Sequence, residues 1–255
     1  MEQLRNLKDL NGYALAARDG EIGTLKEVYF DDQAWVVRYL VVHVGGLFLG
    51  REVLITPQSI ESVDEDARNI VVNLTRGQVE NSPPVSSEHP VSRHYEAEYQ
   101  RYYGLESYWE AGPIGAPFGS GSIPLPAAPP REPDHPHLRS SDEVCGYRIA
   151  ARNDEFGKVE DFVVDDSDWS IAYVAIDTRR WLPGRTVLIS PAWIDAVDWP
   201  GRSITVNLGH DAIKSAPEYD PSKVITAEYE ARLLAHYGKS LPACRRHEQQ
   251  GASHA

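Results

Sequence analysis

Two groups of aspartates come closest to a metal site in this 255-residue chain, Asp31-Asp32 and Asp165-Asp166-Ser167-Asp168. Carboxylate oxygens bind hard cations. Calcium, however, needs about six to eight oxygen ligands at a set spacing around an internal glycine, and neither group lies in such a loop. Aspartate is also a frequent turn residue, because its side chain accepts hydrogen bonds from nearby backbone N–H groups. We therefore expect turns at both places and no metal.

Histidine and cysteine give no stronger candidate. The chain has nine histidines, and His135 and His137 lie close together, but no cysteine or third ligand is near them, as zinc would require. Cys145 and Cys244 are isolated, which indicates a reducing compartment rather than a disulfide framework. We expect no metal and no cofactor.

The sequence contains two copies of one unit. From Gly12/Gly146 to Gly104/Gly238 the copies align without a gap, and about a third of the paired positions are identical. None of the polar pairs kept by both copies places a nucleophile beside a base, as nucleophilic catalysis requires. We therefore expect no catalytic residue and no enzyme activity, and an ion pair with a nearby aspartate for the repeated arginine Arg51. The pairs are Arg18/Arg152, Asp31/Asp165, Asp32/Asp166, Arg51/Arg185, Asp64/Asp198, Arg68/Arg202 and Asn73/Asn207.

Short runs of β-branched and aromatic residues, separated by turn signals, predict six strands in each copy. Such a pattern is typical of a small barrel, and closure is favoured because an open sheet leaves unpaired edges. The switch in parity between Leu25 and Val28 predicts a β-bulge. Trp35 and Tyr39, repeated at Trp169 and Tyr173, are interpreted as strand residues that pack the barrel, not as a stacking platform for bases. In the first copy the strands are expected at Gly12 to Arg18, Ile22 to Phe30, Trp35 to Val44, Arg51 to Ile55, Ser62 to Asp64 and Asn69 to Leu74.

An amphipathic helix is predicted after each barrel, at 91–104 and 225–238. Each has a serine or threonine at the N-cap and a glycine at its end. One face carries an apolar stripe at helical spacing, which we interpret as a docking face. Its own barrel, the sister barrel or a second chain could each receive it. The stripe consists of Tyr95, Tyr99 and Tyr103 in the first helix, and of Tyr229, Leu233 and Tyr237 in the second.

The domain organisation follows from the repeat and from a stretch rich in proline and glycine between the copies. We expect two barrels that fold independently, each near the size at which a core is modest. In the linker, the contacts made by Trp109 and Phe118 are interpreted as incidental. The expected boundaries are barrel 1 at 1–80, a helix at 91–104, the linker at 105–140, barrel 2 at 141–214, a helix at 225–238 and a disordered tail at 239–255.

Charge and hydropathy exclude two classes of partner. The net charge is −13 and neither copy is basic, whereas a nucleic-acid-binding domain presents a basic face. The most apolar run, 36–50, is interrupted by Arg38 and His43 and is too short to span a membrane. With no leader sequence at its start, the chain is expected to be soluble and cytoplasmic, with no direct nucleic-acid partner.

The glycines and apolar positions of the first copy resemble the PRC-barrel domain family. The residues that carry the resemblance are Gly23-x-Leu25 with Asp31, Gly45-Gly46 and Gly50, and then Val53-x-Ile55-x-Pro57-x-x-Ile60. The resemblance covers the barrel of each copy. The second copy departs from the pattern at 179–183, where the Gly-Gly pair is absent.

This resemblance implies a bacterial or archaeal protein that is not an enzyme. The family includes the cytoplasmic part of the photosynthetic reaction-centre H subunit and the C-terminal domain of a maturation factor for the small ribosomal subunit. The resemblance favours a protein-interaction or structural adaptor. The sequence does not identify its protein partner. One alternative is a factor associated with ribosomes or RNA processing, and another is an H-subunit-like accessory protein that assists electron and proton transfer. A homodimer is left open.

Overall fold

The computed structural model describes residues 3–45, 50–83, 93–105, 137–151, 154–178 and 185–239, except the side chains of 93–95 and 154. These residues form two seven-stranded sheets with short helices, so the protein is mainly β, as the sequence predicts. The linker after Leu105, the loops at 46–49 and 179–184 and the tail after Lys239 lie outside the described residues.

In its described residues the first repeat contains seven strands and three helices. They are β1 (Leu4–Asn6), α1 (Leu7–Leu10), β2 (Ala14–Ala17), β3 (Gly20–Asp31), β4 (Val36–Val44), β5 (Arg51–Ile55), β6 (Ile60–Asp64), β7 (Asn69–Val72), α2 (Arg76–Glu80) and α3 (Arg93–Tyr103).

The second repeat has the same elements in the same order. They are β8 (Leu138–Ser140), α4 (Ser141–Val144), β9 (Arg148–Ala151), β10 (Asp154–Asp165), β11 (Ile171–Asp177), β12 (Thr186–Ile189), β13 (Ile194–Asp198), β14 (Ser203–Val206), α5 (His210–Lys214) and α6 (Ala227–Tyr237).

Six strands of each repeat form one curled sheet. In the first repeat the order is β5-β4-β3-β2-β7-β6, where β2 and β7 are parallel and the other neighbours antiparallel. The two outer strands are consecutive in the chain and are joined by a single 3-10 turn, Pro57–Ser59, which brings them together at one corner. No ladder joins β5 to β6 in the described residues, so the expected closure by hydrogen bonds is wrong.

A close contact between strands explains the glycine that begins the PRC-like motif. A Cβ atom at Gly23 would lie 2.0 Å from the backbone oxygen of His43, and one at Gly157 would lie 2.7 Å from that of Asp177. Only glycine allows β3 and β10 this approach. The expected bulge follows shortly afterwards, where the register against β4 shifts between Leu25 and Glu27.

The first strand of each repeat belongs to the sheet of the other. β1 pairs antiparallel with β10, with Leu4 opposite Asp165, and β8 pairs antiparallel with β3, with Leu138 opposite Asp31. Leu4 and Leu138 are equivalent positions of the repeat, and so are Asp31 and Asp165. The exchange is therefore reciprocal and follows the symmetry of the repeat.

The turn between β3 and β4 meets the equivalent turn between β10 and β11 where the two repeats touch. A pseudo-twofold axis relates these two turns. Val36 forms a bridge with its own counterpart, Ser170. Around it, the carbonyl oxygen of Trp169 accepts from the N–H of Val37 at 2.9 Å, and that of Trp35 accepts from the N–H of Ile171 at 2.7 Å. Both tryptophans have positive φ, 53° and 60°, which is uncommon outside glycine. They close turns, and the expectation of Trp35 as a strand residue is wrong.

The larger of two hydrophobic clusters among the described residues spans both repeats. Phe30 and Phe162 are completely buried, and their ring centroids are 5.3 Å apart across the boundary between the sheets. From α1, Leu7 and Leu10 enter the same core. The segment 1–80 thus supplies a strand to the second sheet, and the segment 105–140, expected as linker, supplies β8 to the first.

Candidate interaction site

The aspartates considered as metal ligands form turns. One carboxylate oxygen of Asp31 accepts from the N–H groups of Gln33 and Ala34, both at 2.9 Å. In the second repeat Asp165 accepts from the N–H of Ser167 at 3.0 Å. These contacts shape the turns that meet at the pseudo-twofold axis.

The neighbouring aspartates, Asp32 and Asp166, hold the exchanged strands. Asp166 accepts from the backbone N–H of Gln3 at 2.9 Å and from Nε of Arg5 at 2.8 Å. At the other end of the exchange, Asp32 accepts from Nε of Arg139 at 2.8 Å. An arginine–carboxylate contact with fixed planar geometry is stronger than a neutral hydrogen bond. Each repeat therefore binds the leading strand of its sister through one ion pair, and we call these two sites the strand clamps.

Each clamp arginine also contacts its own repeat, in the turn between its sixth and seventh strands. Arg5 pairs with Glu65. The equivalent of Glu65 is Trp199, and the guanidinium of Arg139 lies over its ring, 4.1 Å from the centroid. His137 adds a contact of 3.6 Å between its Nδ1 and a carboxylate oxygen of Asp32.

The repeated arginine Arg51 caps a helix instead of forming an ion pair with an aspartate, so that expectation is wrong. Its guanidinium donates to the carbonyl oxygen of Val79 at 2.9 Å and to that of Glu80, at the C-terminus of α2. Its counterpart Arg185 donates to the carbonyl oxygen of Ala216 at 2.9 Å, just beyond α5. Positive charge at a helix C-terminus satisfies carbonyl groups that have no partner within the helix.

Two acidic residues are buried where the exchanged segments enter. Asp161 accepts from the N–H of Lys8, in α1, at 3.2 Å, and from the N–H of Phe162 at 2.8 Å. Burial raises the pKa of its carboxyl to about 7. Glu27 occupies the equivalent position, accepts from the hydroxyl of Ser140 and also has a pKa raised by burial.

The helix α3 packs on the outside of its own sheet. Tyr99 is completely buried, and its hydroxyl oxygen accepts from the N–H of Thr56 at 3.0 Å. The rings of Tyr99 and Tyr39 make an edge contact at 5.2 Å, and the ring of Tyr103 lies tilted against that of Tyr99 at 4.7 Å. The hydroxyl of Tyr39 donates to Glu96 at 3.3 Å, which ties the helix to β4.

The helix α6 packs on the second sheet in the same way. Leu233 is completely buried, and the rings of Tyr237 and Trp193 are 4.9 Å apart. The hydroxyl of Tyr173 donates to Glu230 at 2.7 Å, the counterpart of the Tyr39–Glu96 contact. Partial burial raises the pKa of Tyr229 to about 12. The described side chains of each stripe therefore pack within their own repeat.

The surroundings of Tyr102 and Cys145 are also described. The side chain of Tyr95 lies outside the described residues, while Tyr102 is partly exposed and donates to the carbonyl oxygen of Gln78 at 2.9 Å. Burial raises the pKa of the Cys145 thiol to about 12, so this cysteine is protonated and a poor nucleophile at neutral pH.

Sequence reasoning missed the strand clamps and the tyrosine–glutamate contacts. Arg5 and Arg139 are also equivalent positions of the repeat, but Arg5 lies upstream of Gly12, where the gapless alignment of the two copies begins. Glu96 and Glu230 are an identical pair within it. Extending the comparison upstream and including that pair would have singled out both sets of residues, though not their partners.

Among the residues that the structure describes, no cluster of three or more histidine, cysteine or acidic side chains could hold a metal ion. No helix in the same part of the chain has the length and hydropathy needed to cross a membrane.

Comparison with known protein families agrees with this geometry. Residues 2–79 match the family model of the PRC-barrel domain, and a comparison with curated proteins gives no match. The segment 2–79 of the first repeat is a PRC-barrel domain. This PRC-barrel match ends at residue 79, and the second repeat is related to it through the internal repeat and the same order of strands.

Proposed function

We propose that this tandem protein is a non-enzymatic scaffold for protein interaction, in which two PRC-barrel-like repeats form one rigid body. PRC-barrel domains are interaction or structural domains, and nothing in the family match suggests a reaction. The proposal supplies a role for the duplication, because two joined repeats present a wider surface to a partner than one.

The observation that supports the proposal is that repeated polar residues make structural contacts. Asp31 and Asp165 shape turns, Asp32 and Asp166 hold the exchanged strands, and Arg51 caps a helix, as the preceding contacts establish. A duplicated enzyme would be expected to keep a nucleophile or an acid–base pair in a cleft. Here the repeated polar groups have structural contacts, which favours a scaffold.

A native pull-down of the tagged full-length protein, with mass spectrometry of what is retained, tests the proposal. We expect a stoichiometric protein partner that survives a nuclease wash, because the chain carries a net charge of −13. Recovery of the protein alone, together with turnover in an activity screen, would contradict it. Sedimentation with ribosomes in low and high salt separates ribosome association from other partners.

A further inference from the structure

A cavity of about 120 Å³ lies where α3 meets the sister repeat. Its walls come from the start of β4, the turn after β5, the end of α3 and the turn between β10 and β11. Four charged or amide side chains line it, Arg38, Gln58, Gln100 and, from the second repeat, Asp168, together with the hydroxyl residue Thr56. Gln58 and Asp168 are exposed, so the cavity opens to solvent on their side.

The sister repeat has an apolar residue at each of these four positions. The counterparts of Arg38, Gln58 and Gln100 are Ala172, Ala192 and Leu234, and the position equivalent to Asp168 is Ala34. The second repeat keeps the same sheet order and the same helix contact with these apolar residues. The four charged and amide side chains of the cavity are therefore not required by the fold, whereas Thr56 has a hydroxyl residue, Ser190, as its counterpart.

Gln100 has the environment of a ligand-binding group. It is 5% exposed, and its amide oxygen Oε1 has no hydrogen-bond partner among the described residues. A buried carbonyl oxygen without a donor destabilises the protein, whereas leucine at the same position in α6 does not carry that cost. A bound group with N–H donors would satisfy this oxygen.

The charges around the cavity favour a cation. The guanidinium of Arg38 is paired with Asp31 at 3.4 Å, so its charge is offset within the protein. The carboxylate of Asp168 accepts from the N–H of Ser170 through one oxygen, and its negative charge faces solvent at the opening. The rings of Tyr39 and Tyr99 form part of the wall, and aromatic rings attract cations.

We propose that this cavity binds the guanidinium group of an arginine side chain from a basic partner protein. Gln100 Oε1 and the Asp168 carboxylate are the acceptors. A guanidinium has five N–H donors in one plane and is weakly hydrated, so it suits a site that combines acceptors with aromatic rings. The volume corresponds to about four water molecules, which is enough for this planar group. The inference rests on the proposed scaffold function and names the chemistry of its partner.

The test is an NMR titration of the full-length ¹⁵N-labelled protein with a blocked Gly-Arg-Gly tripeptide. The same tripeptide with citrulline, a neutral isostere of arginine, is the ligand control. We expect shifts in the amides that line the cavity at millimolar arginine peptide, and at least about tenfold weaker binding of the citrulline peptide, since loss of a charged hydrogen bond is worth about that factor.

Two substitutions copy the sister repeat and should preserve the fold. Gln100→Leu and Asp168→Ala are each expected to weaken the arginine peptide about tenfold, and Asp211→Ala, which removes an exposed carboxylate of α5, to leave binding unchanged. Asp168 is exposed, so its variant folds even if Gln100→Leu does not. Absence of shifts in the cavity, equal binding of the citrulline peptide, or unchanged binding by the Asp168→Ala variant would overturn the inference.

The outcome can be separated from that of the scaffold proposal. A protein partner captured equally well by the native protein and by Gln100→Leu with Asp168→Ala would overturn the cavity's role and leave the scaffold function standing. A partner lost with both substitutions, while the melting temperature is unchanged, would support both.

Discussion

The two strand clamps perform the same task with different chemistry. Arg5 lies between two carboxylates, Asp166 of the sister repeat and Glu65 of its own. Arg139 lies between a carboxylate, Asp32, and the ring of Trp199. The contact across the repeats is kept as an ion pair, whereas the contact within the repeat has changed from an ion pair to a cation–π interaction. The contact that joins the two halves is therefore the more strongly constrained one.

The largest effect is expected from the exchanged strands, which should hold the two halves together after the linker is cut. We predict that proteolytic cleavage between Gly115 and Pro130 leaves two fragments that elute together and unfold in one transition, because each carries a strand of the other's sheet. Size-exclusion chromatography and calorimetry of the nicked protein measure this. Two fragments that separate under native conditions and remain folded would restore the expectation of independent barrels.

Breaking one strand clamp should have a smaller effect, but it should still lower the free energy of unfolding measurably. Arg5→Ala removes a largely buried partner of Asp166 and should lower the free energy of unfolding by about 3 kcal/mol. Arg139→Ala should cost about 2 kcal/mol, because its side chain is more exposed. The control is Glu65→Ala, whose carboxylate is half exposed and should contribute less than about 1 kcal/mol. Urea denaturation measures all three, and a Glu65→Ala effect equal to that of Arg5→Ala would show that the contact across the repeats is not dominant.

The buried Asp161 should make the exchange sensitive to pH. Its folded-state pKa of about 7 lies above the unfolded value of 3.8, so the folded protein holds a proton that the unfolded chain releases between these values. This stability is present below about pH 4 and is lost as the pH rises through 7. Asp161→Asn should therefore stabilise the protein at pH 8 by about 2 kcal/mol, and much less at pH 4.

Urea denaturation of the native protein and the Asp161→Asn variant between pH 4 and pH 8 provides the measurement. Glu27→Gln is the matched comparison, because Glu27 occupies the equivalent place and its pKa is also raised by burial. Parallel stability curves for native protein and Asp161→Asn would exclude Asp161 as the titrating group.

The smallest expected effect concerns the hydrogen bonds made by two tyrosines of α3. Tyr99→Phe keeps the ring but removes the hydroxyl oxygen that accepts from the buried N–H of Thr56, and should cost about 1 kcal/mol. Tyr102→Phe removes a hydroxyl at an exposed site and should cost less. Thermal unfolding of both variants checks this, and equal melting temperatures would mean that the α3 contact gains nothing from its hydrogen bond.

Local signals in the sequence accounted for most of the strands and for both ends of α6. Alternation and turn residues located β3 to β5, and Thr226 and Gly238 cap α6 as expected, with the threonine hydroxyl accepting from the N–H of Tyr229 and the glycine at a φ of 59°. These features depend on residues only a few positions apart.

The exchange of β1 and β8 could not be read in the same way. Strands as short as these give almost no pattern, and the partner of each lies in the other repeat, as Leu4 and Asp165 show. The polar lining of the inter-repeat cavity is also invisible in the sequence, because Gln100 and Asp168 come from different repeats. What the sequence left out was contact between the copies, whereas structure within each copy was largely predictable.

The reciprocal exchange also sets the order in which the protein can be completed during synthesis. The first sheet reaches Val72 in the chain, yet its seventh strand, Leu138–Ser140, is translated only after α3 and the linker. At about 5–20 residues per second, the end of β3 from Tyr29 to Asp31 waits several seconds for its partner strand on that edge. The first repeat cannot finish folding before the second begins to emerge, so the two repeats mature together and not in sequence.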